Sequence, residues 1–330
     1  MHVPEDLEDV IDFGDKLLSK GQFLINPISS FKIPDKISVN MHGLFFPSPI
    51  IFSSFKSHVD TLNFWLNLGA GGGCLKTITS KPRSGNDRPR ICSFIQDETE
   101  SLLNALGLPN PGIDQFLKKA DFQPLLNANK PIGFSIAGET LEDYESMAMQ
   151  ICTFMDKLEN KNFFLELNIS CPNVNHGAPT KDLNAFFAML QSIREKLDVV
   201  IGLKLSPETS NYQLTQYAEM MVSIERGFLT IGNTKYQTKK QLGLNDACIS
   251  QEGGGVSGFS LFNRTLEMVQ VLSKYKLPLI ATGGVCDFHH ARALLESGAT
   301  LVGMATTFIQ DPYMIPKINR KLSNLKKVHI

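Results

Sequence analysis

Short apolar runs rich in β-branched residues recur along this chain, most of them followed by a stretch of helical periodicity. The runs are Pro49–Ser53, Cys74–Ile78, Pro131–Ile136, Phe164–Ile169, Val200–Leu205, Phe228–Gly232, Leu277–Thr282 and Leu301–Ala305. Between them, apolar residues at helical spacing predict amphipathic helices over Leu141–Leu158, Lys181–Leu197, Asn211–Ile224, Leu261–Tyr275 and Asp287–Ser297. Strands alternating with helices predict parallel βαβ units. Eight such units close into a (β/α)8 barrel. The rival, an open doubly wound sheet, would want a GxGxxG turn after an early strand, and no early strand is followed by one.

Two segments exceed a minimal barrel. Residues 1–40 precede the first barrel strand and predict an N-terminal extension, with one or two helices or a bottom cap; the barrel domain is expected over 41–330. The segment from Thr79 to about Lys130 is too long for a plain strand-to-helix connection. It follows the second strand, so it is expected on the carboxyl face, where barrel active sites sit.

Composition narrows the function classes. The formal net charge of −1 gives no electrostatic reason to expect a nucleic acid or an anionic membrane as partner. The six cysteines are scattered, without a CxxC pair, which predicts a reduced chain with neither a disulfide framework nor a zinc site. No apolar run is long enough to span a bilayer. The first fifteen residues carry Glu5, Asp6, Glu8, Asp9, Asp12 and Asp15, whereas transit peptides are poor in acid, so a cytoplasmic location is expected.

The chemistry gathers at strand ends. Glu166-Leu-Asn168-Ile-Ser-Cys171-Pro-Asn173 reads as a strand entering a polar loop, with a thiol between two amides. Strand 2 carries Lys76 and its loop Asn104; strand 5 carries Lys204; strand 6 leads to Asn233-Thr234. A lysine inside an apolar strand is costly unless it is paired or used. Each could simply pair with a carboxylate such as Glu166, but a shared barrel face favours use. Cys171 alone reads as a small buried hydrophobe, and a Cys171–His176 nucleophile is a second reading. Gly253-Gly-Gly-Val-Ser-Gly258, Thr282-Gly283-Gly284 and Ala305-Thr306-Thr307 follow strands 6, 7 and 8. Backbone N–H groups at helix starts there suit a phosphate.

Taken together, these motifs resemble those of dihydroorotate dehydrogenases, FMN-dependent (β/α)8 enzymes of pyrimidine synthesis. The similarity is closest to the class 1 group, which uses Cys as base. It runs from about Pro49 to Asp311 and rests on Lys76-Thr-Ile-Thr, Gly85-Asn-Asp-Arg-Pro-Arg90, Asn104-Ala-Leu-Gly-Leu-Pro-Asn110, Asn168-Ile-Ser-Cys-Pro-Asn173, Lys204, Asn233-Thr234, Gly254-Gly-Val-Ser-Gly258 and Thr282-Gly-Gly284.

The resemblance implies that Cys171 takes the C5 proton of dihydroorotate while C6 delivers hydride to the flavin. It implies that Lys76 sits between flavin and substrate, and that Asn104, Asn168, Asn173, Asn233 and Thr234 hold the substrate. It places Lys204 at the N1/O2 edge of FMN, Ser53 and Asn168 also beside the flavin, and Gly255, Gly283, Gly284, Ala305 and Thr306 at its phosphate. No metal is implied. The electron acceptor is left open among fumarate, NAD through a partner subunit, and a quinone, and a homodimer is expected.

The chain departs from the family pattern at Phe52-Ser53-Ser54-Phe55, where an Ala-Ser-Gly-like turn is usual, and at Ala305, where Gly is common. Alternative readings are an FMN-dependent dihydropyrimidine reductase or dehydrogenase, or a non-catalytic flavin-binding protein of the same fold.

Overall fold

The structure, a computed structural model, describes residues 6–17, 30–56, 58–96, 98–169 and 182–325. Eight strands close into a parallel barrel: β3 (Ile50–Phe52), β4 (Gly73–Thr79), β7 (Ile132–Ala137), β8 (Phe163–Asn168), β9 (Val200–Leu205), β10 (Gly227–Ile231), β13 (Leu279–Thr282) and β14 (Leu301–Met304). They correspond one to one to the eight apolar runs. β7, β8, β9 and β10 are buried along their whole length, which is why they read as continuous apolar stretches and not as alternations.

Helices α5 (Leu141–Lys157), α6 (Leu183–Lys196), α7 (Asn211–Val222), α9 (Phe262–Leu272) and α10 (Phe288–Glu296) wrap the barrel. Side chains define where four of them begin. Thr140 with Asp143 and Ser210 with Gln213 form capping boxes on α5 and α7, and Asp182 and Asp287 cap α6 and α10. Alternate residues on a strand serve two cores. On β8, Phe163, Leu165 and Leu167 face the helices, whereas Phe164 joins Ile51, Phe228 and Ile280 inside the barrel.

The hairpin of β1 (Val39–Met41) and β2 (Leu44–Phe46) plugs the amino end of the barrel. Its Val39, Met41, Leu44 and Phe46 belong to the interior cluster, with the Phe46 ring 6.2 Å from that of Phe164. The anticipated boundary at residue 40 falls within β1, so this plug belongs to the start of the barrel segment and not to the extension before it. Asn319 of α12 (Met314–Ser323), fully buried, locks this end: it accepts from Ser48 at 2.7 Å and donates to the Gly69 carbonyl at 2.8 Å.

The insertion after β4 holds a hairpin of β5 (Ile91–Gln96) and β6 (Thr99–Asn104), followed by α3 (Ile113–Lys119) and α4 (Gln123–Asn127). A second insertion, after β10, supplies β11 (Lys235–Thr238) and β12 (Gly253–Ser257). The two join as one antiparallel sheet, ordered β11-β12-β6-β5. Gly253–Ser257 is thus a strand and not the turn into a helix that its glycines suggested. Without side chains, Gly254 can lie against the Asn104 carbonyl and Gly253 against that of Gln237, where a Cβ would clash.

A disulfide joins Cys92 on β5 to Cys248 in the connection between β11 and β12, 156 residues apart in sequence. This corrects the expectation of a chain without disulfides. Neither cysteine has a partner at informative spacing, and only the pairing of two separate insertions brings them together.

Candidate active site

A cavity of about 450 Å³ opens at the carboxyl end of the barrel, beneath the four-stranded sheet. It is the size of a small-molecule or cofactor site. Ser53, Lys76, Asn104, Asn168, Lys204, Asn233, Thr234, Gly255, Gly283, Gly284, Ala305 and Thr306 all line it. Every expected site residue among those described is therefore in one place. Cys171, Asn173 and His176 lie outside the described residues.

Each polar side chain is fixed by its element. Asn168 ends β8 and is 5% exposed; its side-chain amide donates to Thr77 Oγ1 on β4 at 2.9 Å, and its backbone carbonyl accepts from the Tyr144 hydroxyl of α5 at 3.2 Å. Thr77 in turn contacts Ser135 Oγ on β7 at 2.9 Å, so three neighbouring strands share one hydrogen-bond chain. Asn104 ends β6 and donates to the Gly255 carbonyl at 3.0 Å. Asn233 turns its side-chain oxygen back to the Thr234 N–H at 2.8 Å. Amides supply both donors and acceptors, which a planar ring with N–H and C=O edges requires.

Two lysines enter from separate strands, β4 and β9. Lys76 projects from the middle of β4, and its backbone N–H donates to the Lys56 carbonyl at 2.9 Å. Burial lowers its pKa from 10.5 to about 8; Arg90 and Lys56 push the same way, and Glu8 and Asp12 oppose them. Lys204 is 6% exposed on β9 and donates to Ser54 Oγ at 2.7 Å, with Glu166 Oε1 at 3.9 Å. The possible pairing of Lys204 with Glu166 and its placement in the site thus coexist.

In the bulky Phe52-Ser53-Ser54-Phe55 turn, Phe52 points out of the main cavity, whereas Phe55 lines it beside the two serines. Phe52 is buried among the outer core residues, and Phe55 packs on Trp65 with ring centres 5.2 Å apart. Ser53 and Ser54 are left facing the cavity, and Ser53 Oγ lies 2.7 Å from Thr282 Oγ1.

The far wall is made of backbone. Gly283 and Gly284 have φ of 118° and 78°, a region that favours glycine, and a Cβ on Gly284 would strike the Phe262 backbone. Beside them, at the end of the neighbouring strand β14, Ala305 precedes the short helix α11 (Thr306–Gln310), whose first N–H groups have no intrahelical acceptor. A buried cation, a wall of bare backbone and a cavity of this volume fit a phosphorylated flavin.

One side of the mouth has no counterpart in the sequence-derived site. Helix α1, residues 7–17, lies over the opening with Glu8, Ile11, Asp12 and Asp15 lining it. Glu8 binds Arg90 through paired contacts of 2.8 Å, Asp6 and Asp9 bind Arg88, and Asp15 binds Lys56 and accepts from Thr61. The spacing of Glu8, Asp12 and Asp15 places them on one helical face, a signal present in the sequence. The opposite face, with Val10, Phe13 and Leu17, is exposed. Among the described residues no helix is long and apolar enough to cross a membrane.

Comparison with known proteins accords with this geometry. The family model described as Dihydroorotate dehydrogenase matches residues 36–325. The Dihydroorotate dehydrogenase B (NAD(+)), catalytic subunit, of Enterococcus faecalis is 31% identical over 291 residues, covering 86% of this chain and 88% of that one. Its counterpart in Fusobacterium nucleatum is 30% identical over 292 residues, covering 86% and 91%. Among solved structures, the DHODH of Eimeria tenella in complex with ferulenol superimposes with a TM-score of 0.79, covering 97% of this chain and 91% of that one at 22% identity, a likeness of fold. The resemblance read from the motifs is borne out: this chain belongs to the dihydroorotate dehydrogenase family.

Proposed function

We propose that this chain oxidises dihydroorotate to orotate in pyrimidine synthesis, with FMN as its resident cofactor. The observation that carries the reading is the convergence of Lys76, Asn104, Asn168, Lys204 and Asn233, from five separate segments, on one cavity. FMN, when bound, supplies the acceptor for the hydride that leaves C6. The chain's own residues do the rest. Cys171 removes the C5 proton. Lys76 supplies a positive charge to the substrate carboxylate, while Asn104, Asn168, Asn173, Asn233 and Thr234 orient the ring through its polar edges. Lys204 holds a positive charge in the cavity floor that favours the electron-rich form of the cofactor. Ser53 would flank the flavin, and Gly255, Gly283, Gly284, Ala305 and Thr306 would hold its phosphate through backbone N–H groups.

Anaerobic addition of dihydroorotate should bleach the visible absorption of the FMN-loaded protein. A flavin that stays bound and oxidised would refute the reading, in favour of a dihydropyrimidine substrate or a binding-only role. For the acceptor, NAD⁺ reached through a partner chain is our choice, because the bacterial relatives carry NAD(+) in their names. Turnover with a panel of acceptors tests it. We also propose a cytoplasmic homodimer in which residues 1–40 form an extension to a single barrel domain; light scattering of the purified chain checks the stoichiometry.

A further inference from the structure

Beneath the main cavity, inside the barrel, lies a second one of about 10 Å³, and Lys204, Ser53 and Ser54 line both. Glu166 borders this lower space from β8 and is 2% exposed. Register explains its position. Lys204 pairs with Asn168 on one side and Thr230 on the other, and Glu166 lies two residues before Asn168, on the same inward face one layer deeper. Its Oε1 stands 3.9 Å from Lys204 Nζ and, among the described residues, has no hydrogen-bond partner. Thr230 Oγ1, bordering the same water-sized space, has none either. On its other side Glu166 meets Cys74, whose thiol is pushed well above its ordinary pKa by burial first and by the negative charge of Glu166 next. The apolar Ile51 and Ile280 border the same space, where an apolar side chain would pack without the desolvation cost of a carboxylate.

We propose that Glu166 is a positioning residue for the flavin chemistry: it is the counter-charge of Lys204, fixing the ammonium at the cavity floor and cancelling much of its field. This rests on the reading of the upper cavity as the FMN site. Wild type then carries a near-neutral pair under the flavin, Glu166→Gln a net positive charge, Lys204→Gln a net negative one, and the double variant again a neutral floor. The reduction potential of bound FMN should therefore fall in the order Glu166→Gln, then wild type with the double variant, then Lys204→Gln. Removing Glu166 should raise the ratio of reduced to oxidised flavin at fixed ambient potential at least about tenfold, or ~30 mV for a two-electron couple.

The test is a spectroscopic potential titration of the four FMN-loaded proteins, with FMN affinity measured beside it. A Glu166→Gln protein that loses stability or FMN affinity but keeps the wild-type potential has lost a structural residue only, which overturns the proposal. Should that variant not fold, Lys204→Gln and the double variant carry the same comparison: a higher potential in the double is expected, and equal potentials overturn it. A wild-type chain that holds no FMN overturns both this proposal and the reading beneath it. FMN that dihydroorotate does not bleach, with the order of potentials intact, refutes only the substrate.

Discussion

The charge on Lys76 gives the most direct numerical test of the site. Burial brings its pKa from 10.5 down to about 8, so the ammonium is about 90% protonated at pH 7 and about 10% at pH 9. An anionic ligand held by that ammonium should bind about tenfold more weakly at pH 9 than at pH 7, with a limiting slope of about one decade per pH unit above the break. Orotate, followed by perturbation of the bound flavin spectrum between pH 6.5 and 9.5, provides the assay. Lys76→Gln should bind orotate weakly at every pH and lose the slope.

Glu8 and Asp12 act on Lys76 in the direction that keeps it charged, so Glu8→Gln should move the break to lower pH. The same shift has a stability sign. The unfolded chain holds the Lys76 proton up to its ordinary pKa, while the folded chain releases it near 8. The Lys76 contribution is thus unfavourable below pH 8 and is relieved between pH 8 and 10.5. Orotate affinity that stays flat through pH 9 in the wild type, or a slope that survives in Lys76→Gln, would refute the assignment of Lys76 to the substrate carboxylate.

Three further outcomes are expected. Cys171→Ala should retain FMN and lose the reductive half-reaction, measured by stopped-flow bleaching; a wild-type rate would remove Cys171 from the role of base. Gly284→Ala, at φ 78° and against the Phe262 backbone, should lose FMN at least about tenfold by fluorescence titration while keeping the barrel's circular dichroism. Asp15→Asn leaves Lys56 as an unpaired cation in a pair whose side chains are only 11% and 10% exposed, and should cost about 3 kcal/mol in denaturant unfolding; Asp9→Asn, at the exposed Arg88, should cost less than about 1 kcal/mol.

The barrel was legible because parallel strands buried on both faces leave unbroken apolar runs, and because residues at their carboxyl ends must share one face. That reasoning brings Lys76 on β4, Asn168 on β8 and Lys204 on β9 to a single barrel face from the sequence alone. It could not find the four-stranded sheet. Ile91–Gln96 is only half-buried, so its alternation is faint, and Gly253–Ser257 looks like a loop because its strand is built from glycines. The Cys92–Cys248 bond depends on that same sheet and was equally hidden.

The placement of α1 is a tertiary ion-pair effect: Glu8, Asp12 and Asp15 announce a common face, but only Arg90, Lys56 and the cavity say what that face meets. Glu166 was visible as a possible partner of Lys204. Its depth, one layer under the site, needed the register.

The sheet over the cavity also constrains how this enzyme could be altered. β5 and β6 come from the connection after β4, β11 and β12 from that after β10, and β12 meets β6 through Gly255 opposite Asn104. Neither half is a self-sufficient module. A transplant of the first connection into another barrel would expose the β6 edge, and a transplant of the second would expose that of β12. Engineering of substrate range here must move both segments as one graft, and natural variation at either is expected to be matched by change in the other.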